Sequence, residues 1–519
     1  MDIQAPIYTL HNNLLRSIDP KSKLERYFDG FRCNIIGNHQ TFESTFGKKE
    51  IIYADWTASG RTYQPIEEFI QKEIMPFVAN THTETTVTGT LMSKAYEEAK
   101  HIIKQHVNAN RDDALVFCGS GMTAAVNKLQ RILGIRAPER ITDYMKAGSN
   151  IKVDELLRPI VFVTRLEHHS NHVSWLETIA TVELIDNDEH GNVDLPHFQR
   201  LLDKFKHRKN KIAAITACSN VTGIQTPYHQ IAKLIHQYGC LCFVDFACSA
   251  PYVDINMHPN ENGTHLDAIY FSTHKFLGGP GTPGVLVFNK KIYKNTIPDQ
   301  PGGGTVVYSN PWKAREYTAD IEQREDGGTP PFLQGIKAAM CIRLKEAMGV
   351  ENILRREEEI LQLVFNRFAK VPNVEVLEKG IEKRLGVISF IVKGAHYNLV
   401  VKILNDRFGI QMRGGCSCAG TYGHHLLNVD KVWSYEILNA IRSGNLLAKP
   451  GWVRLSVHPT MTNAEIDFIM DAIESTAINF EEWGMDYTYD AASNEYVFEG
   501  FKGIEQKKVG DWFNIACWV

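Results

Sequence analysis

Short apolar runs bounded by polar or glycine-rich ends recur along the chain at Ala114–Cys118, Ile160–Thr164, Ile212–Thr216, Leu241–Asp245, Ala268–Ser272 and Gly284–Phe288. Segments with helical spacing, such as Thr226–Tyr238, lie between most of them. Strands that alternate with helices predict βαβ units and a mostly parallel, buried sheet, here a large α/β domain over residues 51–310. After the glycine turn Gly302–Gly304 the pattern lengthens into the helices Gln334–Met348 and Val350–Ala369, the second heavily charged. Residues 311–349 therefore read as a linking segment and helix. Strand-like Val374–Leu377 and Gly386–Val392, followed by helix-like Asn398–Phe408, predict a smaller α+β domain over 350–475. Residues 1–50 are expected to pack against it. Residues 476–519 form a C-terminal extension in which DYTYDAASNEYVFEG alternates aromatic and polar positions around a Ser-Asn turn, the signature of a hairpin.

A chain of 519 residues can bury a large core and divides into about two or three domains. With 44% hydrophobic and 22% charged residues it falls in the ordinary globular range, which excludes a disordered chain. A net charge of -4, with lysine and arginine scattered, gives no electrostatic reason for a nucleic-acid or anionic-membrane partner. The N-terminus lacks a basic region leading into an apolar one, and no later stretch approaches about eighteen uninterrupted apolar residues, so a cytoplasmic protein is expected. Ten cysteines in so long a chain form no visible disulfide framework, which makes reduced thiols the expectation.

Within LDAIYFSTHKFLGGPGTPGVLVF an apolar strand delivers Lys275 into a turn crowded with glycine and proline. A partly desolvated amine at a strand end can lose its proton at neutral pH and form an imine with a carbonyl. Taken alone, such a lysine is more often a solvated loop residue. CLCFVDF ends another apolar strand with Asp245, at the sheet edge where ligands of open α/β sheets collect. A carboxylate there can act as a turn cap, or keep a pyridine nitrogen protonated, the feature that makes pyridoxal phosphate an electron sink. In LVFCGSGMTAAVNKL, the Gly119–Gly121 turn opens a helix whose N-terminal amides, with the Thr123 hydroxyl, suit a phosphate, although a GSG turn also merely connects elements. RLEHHSNHVSW supplies His168, placed to stack on a flat ring and exchange protons. A metal at His168, His169 and His172 is the alternative, and carboxylate or cysteine ligands at familiar spacing are missing beside them.

Asp245, the SxHK turn at Ser272–Lys275, EHHSN at 167–171 and SNVTG at 219–223 occur in the order found in one family. The sequence resembles the class V aminotransferases over about residues 50–475, and looks most like their cysteine desulfurase and selenocysteine lyase branch. The resemblance implies fold type I of the pyridoxal-phosphate enzymes: a large domain with a mostly parallel seven-stranded sheet between helices, plus the smaller α+β domain, assembled as a homodimer. It makes Lys275 the Schiff-base lysine, Asp245 the pyridine-nitrogen partner, His168 the ring-stacking histidine and Asn220 a residue beside cofactor and substrate. Phosphate binding falls to Gly121, Met122 and Thr123 with Ser272 and His274, and Thr329 in DGGTPP is lent to the neighbouring subunit's phosphate. The family's usual glutamine three residues after the aspartate is here Cys248, a poor hydrogen-bond donor.

GIQMRGGCSCAGTYGHHLL resembles the family's RxGxxCA loop, which makes Cys418 the nucleophile, with Arg413 near enough to favour its thiolate. In GWVRLSVHP the resemblance gives Arg454 the substrate carboxylate. Without that context, Arg454 on an apolar strand would still need a buried anionic partner. The expected activity is removal of sulfur or selenium from a cysteine-type amino acid to give alanine through a persulfide on Cys418, with a sulfur-acceptor protein as a further partner. The rivals are another class V reaction, by an aminotransferase, epimerase or lyase, and a catalytically idle scaffold binding metal through Cys416, Cys418, His424 and His425. A bound metal is not part of the expectation.

Overall fold

The computed structural model describes residues 22–79, 81, 83–141, 155–381, 383–500 and 505–517. Of the N-terminal segment, residues 1–21 lie outside this range, as do 501–504 and 518–519 of the C-terminal extension.

The central sheet has seven strands: β1 (Asp113–Cys118), β2 (Ile160–Thr164), β3 (Thr181–Ile185), β4 (Lys211–Thr216), β5 (Leu241–Asp245), β6 (Ala268–Ser272) and β7 (Gly284–Asn289). Their spatial order is β1-β7-β6-β5-β4-β2-β3. All neighbours from β3 to β6 pair in parallel, and β7 runs antiparallel to both β1 and β6. Successive residues of a strand enter separate cores. Leu115 and Phe117 of β1 and Ile269 and Phe271 of β6 join the larger one. Ala114 and Val116 of β1 and Ala268 and Tyr270 of β6 join the other. Because both faces are covered, the strands read as continuous apolar runs rather than alternating ones. The exception is β3, an edge strand with sequence TVELI and four partly exposed residues, whose polar positions hide it from a search for apolar runs.

Ten helices carry the rest of the argument: α1 (Lys23–Arg32), α2 (Val87–His106), α3 (Met122–Ile132), α4 (His169–Leu176), α5 (Tyr228–His236), α6 (Phe332–Met348), α7 (Val350–Phe368), α8 (Tyr397–Phe408), α9 (Gly420–Leu426) and α10 (Asn463–Gly484). A second sheet is antiparallel, built from β8 (Val374–Val376), β9 (Val387–Val392), β10 (Arg413–Gly415) and β11 (Trp452–Ser456) in the order β8-β9-β11-β10. Helix α1 docks beside it. Its Arg32 grips Glu465 with two bonds of 2.6 and 2.8 Å, and the same Glu465 closes the capping box with Thr462 that starts α10. Ile52–Tyr53 then pairs in parallel with Ile410–Gln411, and Asp55 bridges to Ser456 at the end of β11. This stitch brings residues 55–58 to the junction of the two sheets. The C-terminal hairpin forms between Tyr487–Asp490 and Glu495–Phe498. It lies on α8, where Asn398 Nδ2 donates to Asn494 O at 2.6 Å.

Candidate active site

The C-terminal ends of β1, β4, β5 and β6 open onto a cleft of about 260 Å3, which Arg413 of β10, Ser417 just after it and Arg454 of β11 help to close. Lys275 ends a single tight turn, Thr273–Lys275, directly after β6. Gly60 N–H donates to His274 O at 3.0 Å, and a Cβ on Gly60 would fall 1.9 Å from Phe276 O, so only glycine lets the 55–60 segment press this turn into place. Burial lowers the Lys275 ammonium from its ordinary value, against the opposing pull of Cys248 and Asp245. Asp245 is buried at the end of β5, with Oδ1 accepting from Ala247 N–H at 2.8 Å, and burial pushes its carboxyl up to about 6.

Helix α3 starts at the floor of the cleft behind Gly121, an N-cap residue with no side chain to cap the first turn. Ser272 Oγ accepts from Met122 N–H at 2.8 Å, Thr123 Oγ1 and Ser170 Oγ are 2.7 Å apart, and His274 Nδ1 lies 2.9 Å from Ser120 O. A Cβ on Gly121 would stand 3.0 Å from the His274 ring and 3.1 Å from Ser272 Oγ, so the hollow exists because residue 121 has no side chain.

Cys418 sits at the rim beside His168, on a turn where both Ser417 and Cys418 adopt left-handed backbone angles, φ 50° and 56°. That strain is held from both sides. Asn220 Nδ2 donates to Ser417 O at 2.7 Å, His169 N–H donates to Cys418 O at 2.7 Å, and Gly420 N–H donates to His169 Nε2 at 2.8 Å. His168 Nδ1 accepts from Ser170 N–H at 3.1 Å, which leaves the proton of a neutral ring on Nε2. The hydrogen bond from His168, helped by the Arg413 guanidinium with Nη2 3.7 Å from the sulfur, brings the Cys418 thiol down to about 7.

Arg454 is buried on β11 and has the anionic partner its position demands: Nη2 lies 2.5 Å from Asp55 Oδ1, and Nη1 donates to Asn220 O at 3.1 Å. Its Nε and Asn220 Oδ1 are buried without a partner among the described residues. Cys248 is buried beside Cys218, whose hydrogen bond lowers the Cys248 thiol while burial raises that of Cys218.

A family model for class-V aminotransferases matches residues 52–469. The chain belongs to this family. A probable cysteine desulfurase of Halalkalibacterium halodurans is 27% identical over 377 residues, covering 71% of this chain and 84% of the relative. A probable cysteine desulfurase of Staphylococcus aureus is 26% identical over 390 residues, covering 74% and 87%. The apo structure of a cysteine desulfurase from Thermococcus onnurineus superimposes with a TM-score of 0.66 at 24% identity, over 83% of this chain and 95% of that one. At that identity the likeness speaks for the fold.

In this class-V aminotransferase the cleft gathers Gly121, Met122, Thr123, His168, Asn220, Asp245, Ser272, His274, Lys275, Arg413 and Arg454 from the residues singled out in the sequence, with Cys418 beside His168 at its rim. Thr329 stays outside the cleft and exposed. Asp55, Thr57 and Ala58 carry no motif signal of their own and reach the site only through the Ile52–Tyr53 pairing. Glu167 and Asn171 of the EHHSN segment turn out to be braces. Glu167 is buried and accepts from Thr164 Oγ1, Thr216 N–H and Asn171 Nδ2 at 2.7 to 2.8 Å, tying β2 to β4 beneath His168. His169 and His172 spend ring nitrogens on Gly420 N–H and on the Thr421 hydroxyl, latching the cysteine loop. His424 faces Gly420 O and Ser434 Oγ. Among the described residues, neither set of histidines and cysteines weighed as a metal site converges on one point.

Proposed function

We propose that this class-V enzyme is a pyridoxal-phosphate-dependent cysteine desulfurase, releasing sulfur or selenium from a cysteine-type amino acid and leaving alanine. The observation that carries the reading is Cys418, a thiol lowered to about 7, held by His168 at the rim of the cleft that contains Lys275. The names of the relatives point the same way.

The residues present fit the cofactor. The start of α3 and the hollow that a Cβ on Gly121 would fill suit its phosphate, with Thr123, Ser272 and His274 around it. A carboxyl as costly to ionise as Asp245 suits a cationic ring nitrogen, and the unpartnered Asn220 Oδ1 is free for a donor. When bound on Lys275, the cofactor supplies an electron sink for the substrate's carbon skeleton. Arg454 orients the substrate carboxylate, sharing its guanidinium with Asp55. Lys275, lowered by burial, moves protons at the substrate carbon, and His168 Nε2 holds the proton opposite Cys418. The Cys418 thiolate forms a bond to the substrate sulfur as the carbon–sulfur bond breaks. The bonding pair stays with carbon, which takes the sulfhydryl proton and leaves as alanine, while Cys418 carries a persulfide. Cys248 in place of glutamine leaves the cofactor's phenolic oxygen without a strong side-chain donor from that position.

We read the chain as a homodimer in which Thr329 serves the neighbouring subunit's phosphate, with an acceptor protein receiving the sulfur. The division at residues 50, 310, 349 and 475 is part of the same reading. Among the described residues no helix is long and apolar enough to cross a membrane, in keeping with a cytoplasmic enzyme. The test is Cys418→Ser supplied with cysteine: alanine and sulfide formation is lost, while the cofactor's visible absorbance on Lys275 is retained. Wild-type alanine and sulfide formation in that variant removes Cys418 from the reaction. A keto acid as the main wild-type product replaces desulfuration with transamination.

A further inference from the structure

At the other end of the central sheet, away from the cleft, three side chains from separate segments converge: His236 in the last turn of α5, His265 in the following loop, and Asp267 just before β6. Their ligating atoms all lie within 4.8 Å of one another. Asp267 and Lys275 stand at opposite ends of β6, roughly 20 Å apart at strand rise, so this group takes no part in the cleft.

The hydrogen-bond accounting of His236 is unusual. Its Nδ1 lies 2.6 Å from Gly263 O, and its Nε2 lies 2.9 Å from Asp267 Oδ2. A carbonyl and a carboxylate are both acceptors, and a neutral imidazole carries one N–H. One of the two contacts therefore needs a positive charge between its atoms, either a second proton or a metal ion. With the proton on Nδ1 held by the Gly263 carbonyl, Nε2 has its lone pair turned toward Asp267. A histidine tautomer fixed by a backbone carbonyl is the usual outer support of a metal-binding histidine.

Two further side chains stand within reach of an ion at this point. Asp267 is held rigidly, its Oδ2 accepting from Cys242 N–H at 2.8 Å and its own N–H and carbonyl bonded to Cys242 and Asn289, so the carboxylate is fixed at the sheet edge. His265 stacks on His236 with ring centres 4.0 Å apart and planes within 10°, and its Nε2 lies 3.8 Å from Asp267 Oδ1. An ion gives it a ligand role, since two ligands of one tetrahedral zinc stand about 3.3 to 3.5 Å apart at bond lengths of ~2.0 to 2.2 Å. Stacked rings aim their lone pairs along parallel planes, so His265, half exposed, swings out of the stack to bring its Nε2 onto the ion. The positive side chains nearby, Lys233 and Lys291, bear on this site from outside; Lys233 is paired with Glu261.

We propose that His236, His265 and Asp267 form a second, non-catalytic site for a divalent transition-metal ion of zinc type, with the fourth position open to the solvent-filled hollow beside His258 and Asn260. The ion clips the end of α5 to the start of β6. It stands independently of the proposed desulfurase reaction.

The test is zinc binding by the full-length, cofactor-loaded chain, measured by competition with a chromophoric chelator in a Cys33→Ser, Cys416→Ser, Cys418→Ser, Cys517→Ser background that removes the exposed and half-buried thiols. One equivalent of zinc is expected. His265→Ala, at a half-exposed position, lowers the affinity at least about tenfold and abolishes the zinc-dependent rise in melting temperature, while melting without zinc stays unchanged. His236→Gln gives the same loss and serves as the second variant. Binding weakens as pH falls, because protons compete for the imidazoles. Absence of zinc binding in the parent, or equal affinity in His265→Ala, overturns the site and leaves a proton alone between His236 and Asp267.

Discussion

The ionisation of Cys418 can be perturbed at a single neighbour. A thiol at its ordinary value of 9.0 is about 1% ionised at pH 7, whereas one at about 7 is about half ionised, roughly a fiftyfold gain in thiolate. Nucleophilicity falls with basicity by a Brønsted factor of about 0.4 to 0.5, so two units of lowering cost about eightfold and leave a net advantage near sixfold. The sharper observable is the inflection itself. Iodoacetamide labelling of the Cys418 peptide, followed by mass spectrometry from pH 5.5 to 10, is expected to inflect near 7, with persulfide-forming activity rising through the same range. His168→Asn removes the largest cause and moves the inflection up toward 9. Arg413→Gln moves it less, because that guanidinium is exposed and screened. Exposed Cys33 provides the comparison within the same sample. An inflection near 9 in the wild type, or one unmoved by His168→Asn, refutes the account.

Two other expectations follow from the same geometry. His169→Ala removes the acceptor of Gly420 N–H, a loss of about 1 kcal/mol to the cysteine turn; amide exchange at residues 419–421 quickens and sulfide release falls several-fold, while cofactor absorbance holds. Asp245 is raised to about 6 from 3.8 by burial, so in the cofactor-free protein its contribution is full below pH 4 and is lost as pH rises through 6, about 3 kcal/mol in all. Urea unfolding at pH 4 and 7.5 should therefore show a steeper loss in wild type than in Asp245→Asn, and equal slopes would contradict a buried, protonation-prone carboxyl.

What the sequence revealed and what it hid divide along physical lines. Strands β1, β2, β4, β5, β6 and β7 announce themselves because both faces of the sheet are covered, and Lys275 and Asp245 stand out as charged groups at the ends of such runs. Edge strand β3 has no such contrast. The need of Arg454 for an anion was legible from its apolar surroundings, yet its identity was not: Asp55 lies 399 positions away and arrives through a two-residue strand pairing. His169 looked like a possible ligand because composition cannot tell a ring nitrogen offered to a metal from one already committed to a backbone amide 251 positions later.

That commitment bears on how sulfur would leave. With Asn220 and His169 pinning the chain on either side of Cys418, the persulfide of the proposed reaction is a fixed terminal with a reach of little more than its own side chain. In the proposed reaction an acceptor would therefore come to the rim and present its own nucleophile there. Selection among acceptors then falls to the shape of the approach around Arg413 and the start of α9, and not to how far the loop can swing.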